Sequence, residues 1–306
     1  MTRQAPFPEQ QATESRLVQQ EAALTSRWHP DGLMARRQRC NQLATVLSAG
    51  SGVVLVLVLL SILWTLLSRG LPGLSLATFL HPMGPPGSGG GLGNAILGSL
   101  IQTGLAMLIA APLGMCCGMY LAEFDGSGNR FATTVRFVAD ILMSVPSILV
   151  GLFIYQLLVA PFGHFSGFAG AVALAVLAVP LMIRTTEDML RLVPVAMREA
   201  GAALGAPRWR VIVSLCLRAA RGGITTGLLL ALARMGGETA PLLFTSLGNQ
   251  GWSLDLDKPM ASLPLAIYQY AGASYEDWVQ LAWTGALLIT VGVLMINIVV
   301  RLSSRR

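Results

Sequence analysis

The sequence predicts an all-α membrane protein with six transmembrane helices. Three observations carry that expectation. Of 306 residues, 54% are hydrophobic and only 12% are charged. Apolar runs recur near the roughly 20 residues that a helix needs to cross a bilayer. The basic residues gather in alternate connecting segments, as an even number of spans requires.

The six spans are expected at about 43–68, 94–121, 136–160, 168–187, 222–245 and 279–301. The first holds the unbroken apolar run Gly52 to Leu60. The segment from Arg69 to Gly93 carries Pro82, Pro85, Pro86 and a glycine-rich tract, a turn-rich entry to the second span. Pro112 and Gly114 fall in span two, Pro146 and Gly151 in span three, and Pro180 in span four. Such residues are tolerated where neighbouring helices cover the freed backbone groups. They serve packing and kinking, or they hinge a pathway. Residues 246–278 form a connection rich in aromatics, suited to the membrane surface or to an external partner.

Charge sets the orientation. Arg3, Arg16, Arg27, Arg36, Arg37 and Arg39 precede span one, and Arg130 lies between spans two and three, with Arg136 at its edge. Six arginines from Arg191 to Arg221 lie between spans four and five, and Arg301, Arg305 and Arg306 end the chain. The other connections hold only Arg69 and Lys258. Both termini are therefore expected in the cytoplasm. Residues 1–40 read as a polar cytoplasmic arm, not a cleavable signal peptide, able to touch anionic lipid.

Several chemistries find no support. Cys40, Cys116, Cys117 and Cys216 suggest no disulfide framework, and His29, His81 and His164 lack ligand spacing. No metal, no cofactor and no nucleic-acid partner are expected. There is no Gly-x-x-x-x-Gly-Lys-Ser/Thr loop, so ATP is not bound in that way. No catalytic dyad or triad is recognisable, which disfavours an intramembrane enzyme.

Two groups of residues remain. Arg234 and Glu238 lie four apart near the middle of span five, on one helix face. An arginine at a helix centre costs ~2.5–3.5 kcal/mol on insertion scales, so it needs a partner, water or ligand. The two form either a structural pair or a cationic station on an anion pathway. Arg184 and Glu187 repeat the pattern near the inner end of span four, where snorkelling to water competes with a pathway role. Asp140 reads as interfacial. A guanidinium fork suits tetrahedral oxyanions, whether phosphate, sulfate or molybdate.

The second group is the polar segment Arg198 to Arg210. Glu199, Ala200 and Ala203 favour a helix, Gly205 is placed to end it, and Pro207 blocks its continuation. Its small residues leave a nearly smooth face. That face fits a groove on a soluble partner, or rests on the membrane surface.

The run Glu199-Ala-Gly-Ala-Ala-Leu-Gly205 resembles the Glu-Ala-Ala…Gly signature of ABC importer permeases. Gly201 stands where that family has Ala, and the later Ile-x-Leu-Pro reads Leu215-Cys-Leu-Arg218. Residues 36–301 further resemble A-type permease subunits of high-affinity phosphate importers. The carrying segments are Gly89 to Ala95, Pro112-Leu-Gly114, Tyr120-Leu-Ala-Glu123, Val145 to Phe153, Ile183-Arg-Thr-Thr-Glu187, Leu192-Val-Pro194 and Gly237 to Thr245.

The resemblance implies an ABC importer type I permease fold, with a permease domain over 41–306 and a cytoplasmic coupling helix at about 195–206. It implies a non-catalytic subunit of a bacterial inner membrane, forming half of a phosphate pathway. Its partners would be a second related permease, two cytoplasmic ATPase subunits and an external phosphate-binding protein. Arg184, Arg234 and Glu238 would line the pathway, and Glu199, Ala200, Gly201 and Gly205 would serve ATPase coupling. A sulfate or molybdate permease is the alternative substrate reading, and a regulatory scaffold the alternative role.

Overall fold

The computed structural model describes residues 31–124 and 129–303. Most of the basic arm, and Arg305 and Arg306, lie outside these residues. The chain divides into two units, Met1–Leu63 and Trp64–Arg306.

Helix α1, Asp31–Gly70, begins in the first unit. Its residues Val53 to Leu60 are all apolar and all exposed, so the helix is apolar around its whole circumference there. The second unit adds α2 (Leu76–Leu80), α3 (Gly93–Glu123), α4 (Arg130–Ser144) and α5 (Ser147–Phe162). There follow α6 (Gly167–Arg191), α7 (Val195–Ala203), α8 (Arg208–Met235), α9 (Ala240–Thr245), α10 (Leu263–Ala271) and α11 (Glu276–Ser303). Among the described residues five helices are long and apolar enough to cross a membrane, and α4 with α5 makes a sixth crossing if the bent pair is one span.

The centre is a close pairing of α3 with α6. A side chain at Gly114 would overlap Met182 Cβ, and one at Gly118 would come within 2.6 Å of Thr186 Cβ. Gly170 faces Gln102 in the same way. The pairs keep one constant offset along the chain, so the two helices run parallel. Ala106, Ala110, Gly114 and Gly118 recur every four residues, the small-residue ridge that lets membrane helices approach closely. Ala106, Ala110, Leu174, Ala178 and Met182 form the main core with Ala231 and Met235 of α8. Helix α8 runs antiparallel to α6, with Gly223 against Met189 and Gly227 against Thr185.

Two expected spans are interrupted. Residues 136–160 do not form one straight span: α4 and α5 meet at 105°. Pro146 has no N–H to give, and it holds Val145 extended at φ −69°, ψ 131°. The fifth span starts earlier and stops sooner than expected. Helix α8 passes through a π-helical turn at Val211–Cys216 and ends at Met235. Gly236 and Gly237 then turn the chain, and Pro241 opens α9. Arg234 thus sits in the last turn of a helix, not in the middle of a continuous span.

At the end of the bundle opposite the arginine-rich connections, Asn94 ties two loops together. Its Oδ1 accepts from the Met83 N–H at 3.0 Å, and its Nδ2 donates to the Asn249 carbonyl at 2.8 Å. Tyr270 of α10 stacks on Trp278 of α11 at 4.6 Å, and burial pushes its phenol up to about 12. Of the aromatics in this connection, Tyr270 is core, whereas Trp252, Tyr268 and Tyr275 are exposed.

Candidate functional site

The arginine-rich end carries a knot of charges. Glu187, on the inward face of α6, is 2% exposed. Its Oε1 lies 2.7 Å from Arg136 Nε of α4 and 2.7 Å from Arg191 Nη2 one turn on. Arg136 also donates through Nη2 to the Leu121 carbonyl of α3 at 3.0 Å. One buried acid thereby joins three helices.

The expected Arg184–Glu187 pair does not form. Glu187 faces inward and is held by Arg136, a residue of another helix that local spacing does not reveal. Arg184 is 48% exposed, with Nη1 4.0 Å from Asp140 Oδ1 and Nε 3.7 Å from Asp188 Oδ2. Asp140, expected to be merely interfacial, is therefore a facing group of Arg184.

Arg234 Nε lies 3.6 Å from Glu238 Oε1, where α8 gives way to the Gly236–Gly237 turn. Arg234 is 52% exposed and Glu238 16%. Charge-assisted hydrogen bonds close at about 2.7–2.9 Å. The longer separations at Arg184 and Arg234 leave guanidinium donors available to an anion. Thr185, beside Arg184, packs at the level of Gly227. Arg234 is two turns further along α8, about 10 Å by helical rise. The two arginines thus lie at different levels of the bundle.

Helix α7 covers Val195–Ala203, inside the expected 195–206. Pro194 precedes it, and Gly205 follows its last turn at φ +74°, a left-handed conformation that glycine adopts without strain. The Gly205 N–H donates to the Ala202 carbonyl at 2.9 Å. Glu199, Ala200 and Gly205 are exposed. Gly201 is buried instead, and a Cβ there would lie 3.0 Å from Val211 Cγ2. Glycine at this position lets α7 lie close against α8. A cavity of about 300 Å³ opens beside α7, lined by Glu123, Glu199, Ala202, Arg208 and Ile212 among others.

Sequence reasoning passed over Arg198. Its Nη2 donates to the Leu190 carbonyl at 2.6 Å and lies 3.0 Å from Glu123 Oε1 at the end of α3. The visible signal was an acid closing the apolar run of α3 and a basic residue opening the Glu199 motif. Far from this knot, the Asp257 N–H and Lys258 hold the Asp255 carboxyl below its ordinary range.

The family model described as "binding-protein-dependent transport system inner membrane component" matches residues 112–306. The chain is 51% identical over 267 residues to the phosphate transport system permease protein PstA of Yersinia pestis, covering 87% of this chain and 90% of that protein. It is 50% identical to PstA of Haemophilus influenzae, covering 87% and 94%. It is 38% identical to PstA 1 of Mycobacterium tuberculosis, covering 87% and 88%. Among solved structures, an inward-facing MetNI methionine ABC transporter superposes with TM-score 0.57 at 20% identity, over 69% of this chain and 93% of that one. An amino acid ABC transporter with histidines gives TM-score 0.52 at 16% identity, over 69% and 92%.

Proposed function

The chain belongs to the binding-protein-dependent transport system inner membrane component family, and on that premise we propose that it is the A-type permease subunit of an ATP-driven phosphate importer. It has the type I ABC importer permease fold. The observation that carries the substrate is identity of 51% across 87% of the chain to a protein named for phosphate transport.

In this reading the chain forms half of the pathway, and a second related permease supplies the rest. An external binding protein delivers phosphate, and two cytoplasmic ATPase subunits supply the energy. The termini and α7 lie in the cytoplasm, in keeping with the arginine-rich connections. Arg184 and Arg234 offer forked, permanently charged donors to the oxyanion. Asp140, Asp188 and Glu238 face those donors at 3.6–4.0 Å, close enough to neutralise them when the pathway is empty. Their modest hold favours release, which conduction requires as much as capture. The exposed Glu199, Ala200 and Gly205 meet the ATPase, and Gly201 seats α7 against α8.

Uptake of labelled phosphate, sulfate and molybdate by cells lacking this chain tests the substrate. Phosphate uptake is expected to fall and to return with the gene. Loss confined to sulfate or molybdate would remove phosphate from the reading.

A further inference from the structure

Helix α7 has a mechanical problem. It is tied to α6 by the short turn Leu192 to Pro194 and to α8 by Leu204 to Pro207. It has no covalent connection to α3, which is the closest packing partner of α6. A displacement of α7 needs a stiffer link if it is to move the α3–α6 pair as one body.

Arg198 supplies such a link. The Leu190 carbonyl lies in the last turn of α6 and also accepts from the Val193 N–H at 3.2 Å. Arg198 Nη2 donates to it at 2.6 Å, and the same nitrogen lies 3.0 Å from Glu123 Oε1. Glu123 is the last residue of α3. Arg198 is 25% exposed and Glu123 13%, so solvent screens the pair only partly. Beyond this contact, the Gly114 and Gly118 packing holds α3 against α6. Arg184 lies on α6 less than two turns from Leu190, about 9 Å by helical rise. A continuous path of packed and bonded groups therefore runs from α7 to the first arginine station.

We infer that Arg198 is a positioning residue that converts movement of α7 into movement of the α3–α6 pair, through its joint hold on Glu123 and the Leu190 carbonyl. This rests on the permease reading above. It assigns to Arg198 neither phosphate contact nor ATPase docking.

The test uses the complete complex in liposomes, with both permeases, the ATPases and the external binding protein. Phosphate imported and ATP hydrolysed are measured together. Arg198→Ala and Glu123→Gln are expected to co-purify with the ATPases and to hydrolyse ATP. Phosphate imported per ATP is expected to fall on the order of tenfold, the scale of a typical coupling free energy. Arg198→Lys, which keeps a charged donor, is expected to retain most of the ratio. An unchanged ratio in Glu123→Gln, the substitution that best keeps the shape, would overturn the inference. So would a loss of uptake matched by an equal loss of ATP hydrolysis, since that marks a structural role only. Hydrolysis without phosphate import in the wild-type complex would instead overturn the permease reading and leave the two failures distinct.

Discussion

Glu187 and Arg184 lie within one turn of each other, yet their surroundings assign them different work. Glu187 is 2% exposed and faces two guanidiniums at 2.7 Å. Replacing it with alanine leaves those cations with no acid between them, a loss of about 3 kcal/mol. Arg184 is 48% exposed and its contacts are 3.7–4.0 Å long, so alanine there costs less than about 1 kcal/mol. Glu187→Ala is therefore expected to lower the unfolding midpoint of the purified protein, and Arg184→Ala to leave it nearly unchanged. Arg184→Ala is expected instead to lower phosphate uptake roughly tenfold or more, the scale of one lost charge-assisted contact. A stable Arg184→Ala protein with full uptake would count against its place on the pathway. The sequence made Arg184, Arg234 and Glu238 visible because charges stand out in apolar runs. It also paired Arg234 with Glu238, but it did not show the partners of Glu187 and Arg184. Arg136 and Asp140 reach α6 from another helix, and that approach is decided by packing.

At the scale of elements, length and apolarity made the helices legible, whereas the interruptions were not. Pro112 and Pro180 lie inside unbroken helices, but Pro146 separates α4 from α5 by 105°. The same residue type has two local outcomes because neighbouring helices decide which freed backbone groups are covered. At Gly151 a Cβ would come within 2.7 Å of Pro241 Cα, so α5, which follows one break, packs tightly on α9, which follows the other. The α3–α6 contact gives the sharpest test at this scale. Gly114→Leu forces a side chain into Met182, and overpacking typically costs about 1–3 kcal/mol. At Gly104 on the same helix, an added methyl would meet nothing within 4 Å. Gly104→Ala is expected to hold or raise the thermal midpoint, through helix propensity alone. Gly114→Leu is expected to lower the midpoint and the yield in membranes. Equal midpoints would mean that α3 and α6 do not meet along this ridge.

Across the whole molecule, charge and helix direction constrain each other. Helices α3 and α6 run parallel, and each ends beside the arginine-rich connections. Arg130, Arg136, Arg191, Arg198, Arg208 and Arg210 gather at that end, whereas Asp255 and Lys258 lie in the connection at the other. Short basic connections stay on the cytoplasmic side during insertion, so in the proposed orientation the end with these six arginines faces the cytoplasm. A soluble ATPase can reach α7 only in that orientation. In a cysteine-free background, Glu199→Cys is expected to react with a membrane-impermeant thiol reagent only after the cytoplasmic face is opened. Asp255→Cys is expected to react from outside in intact spheroplasts. The reverse pattern would place α7 away from any cytoplasmic ATPase, and no arrangement of the charges within the bundle would then restore coupling to ATP.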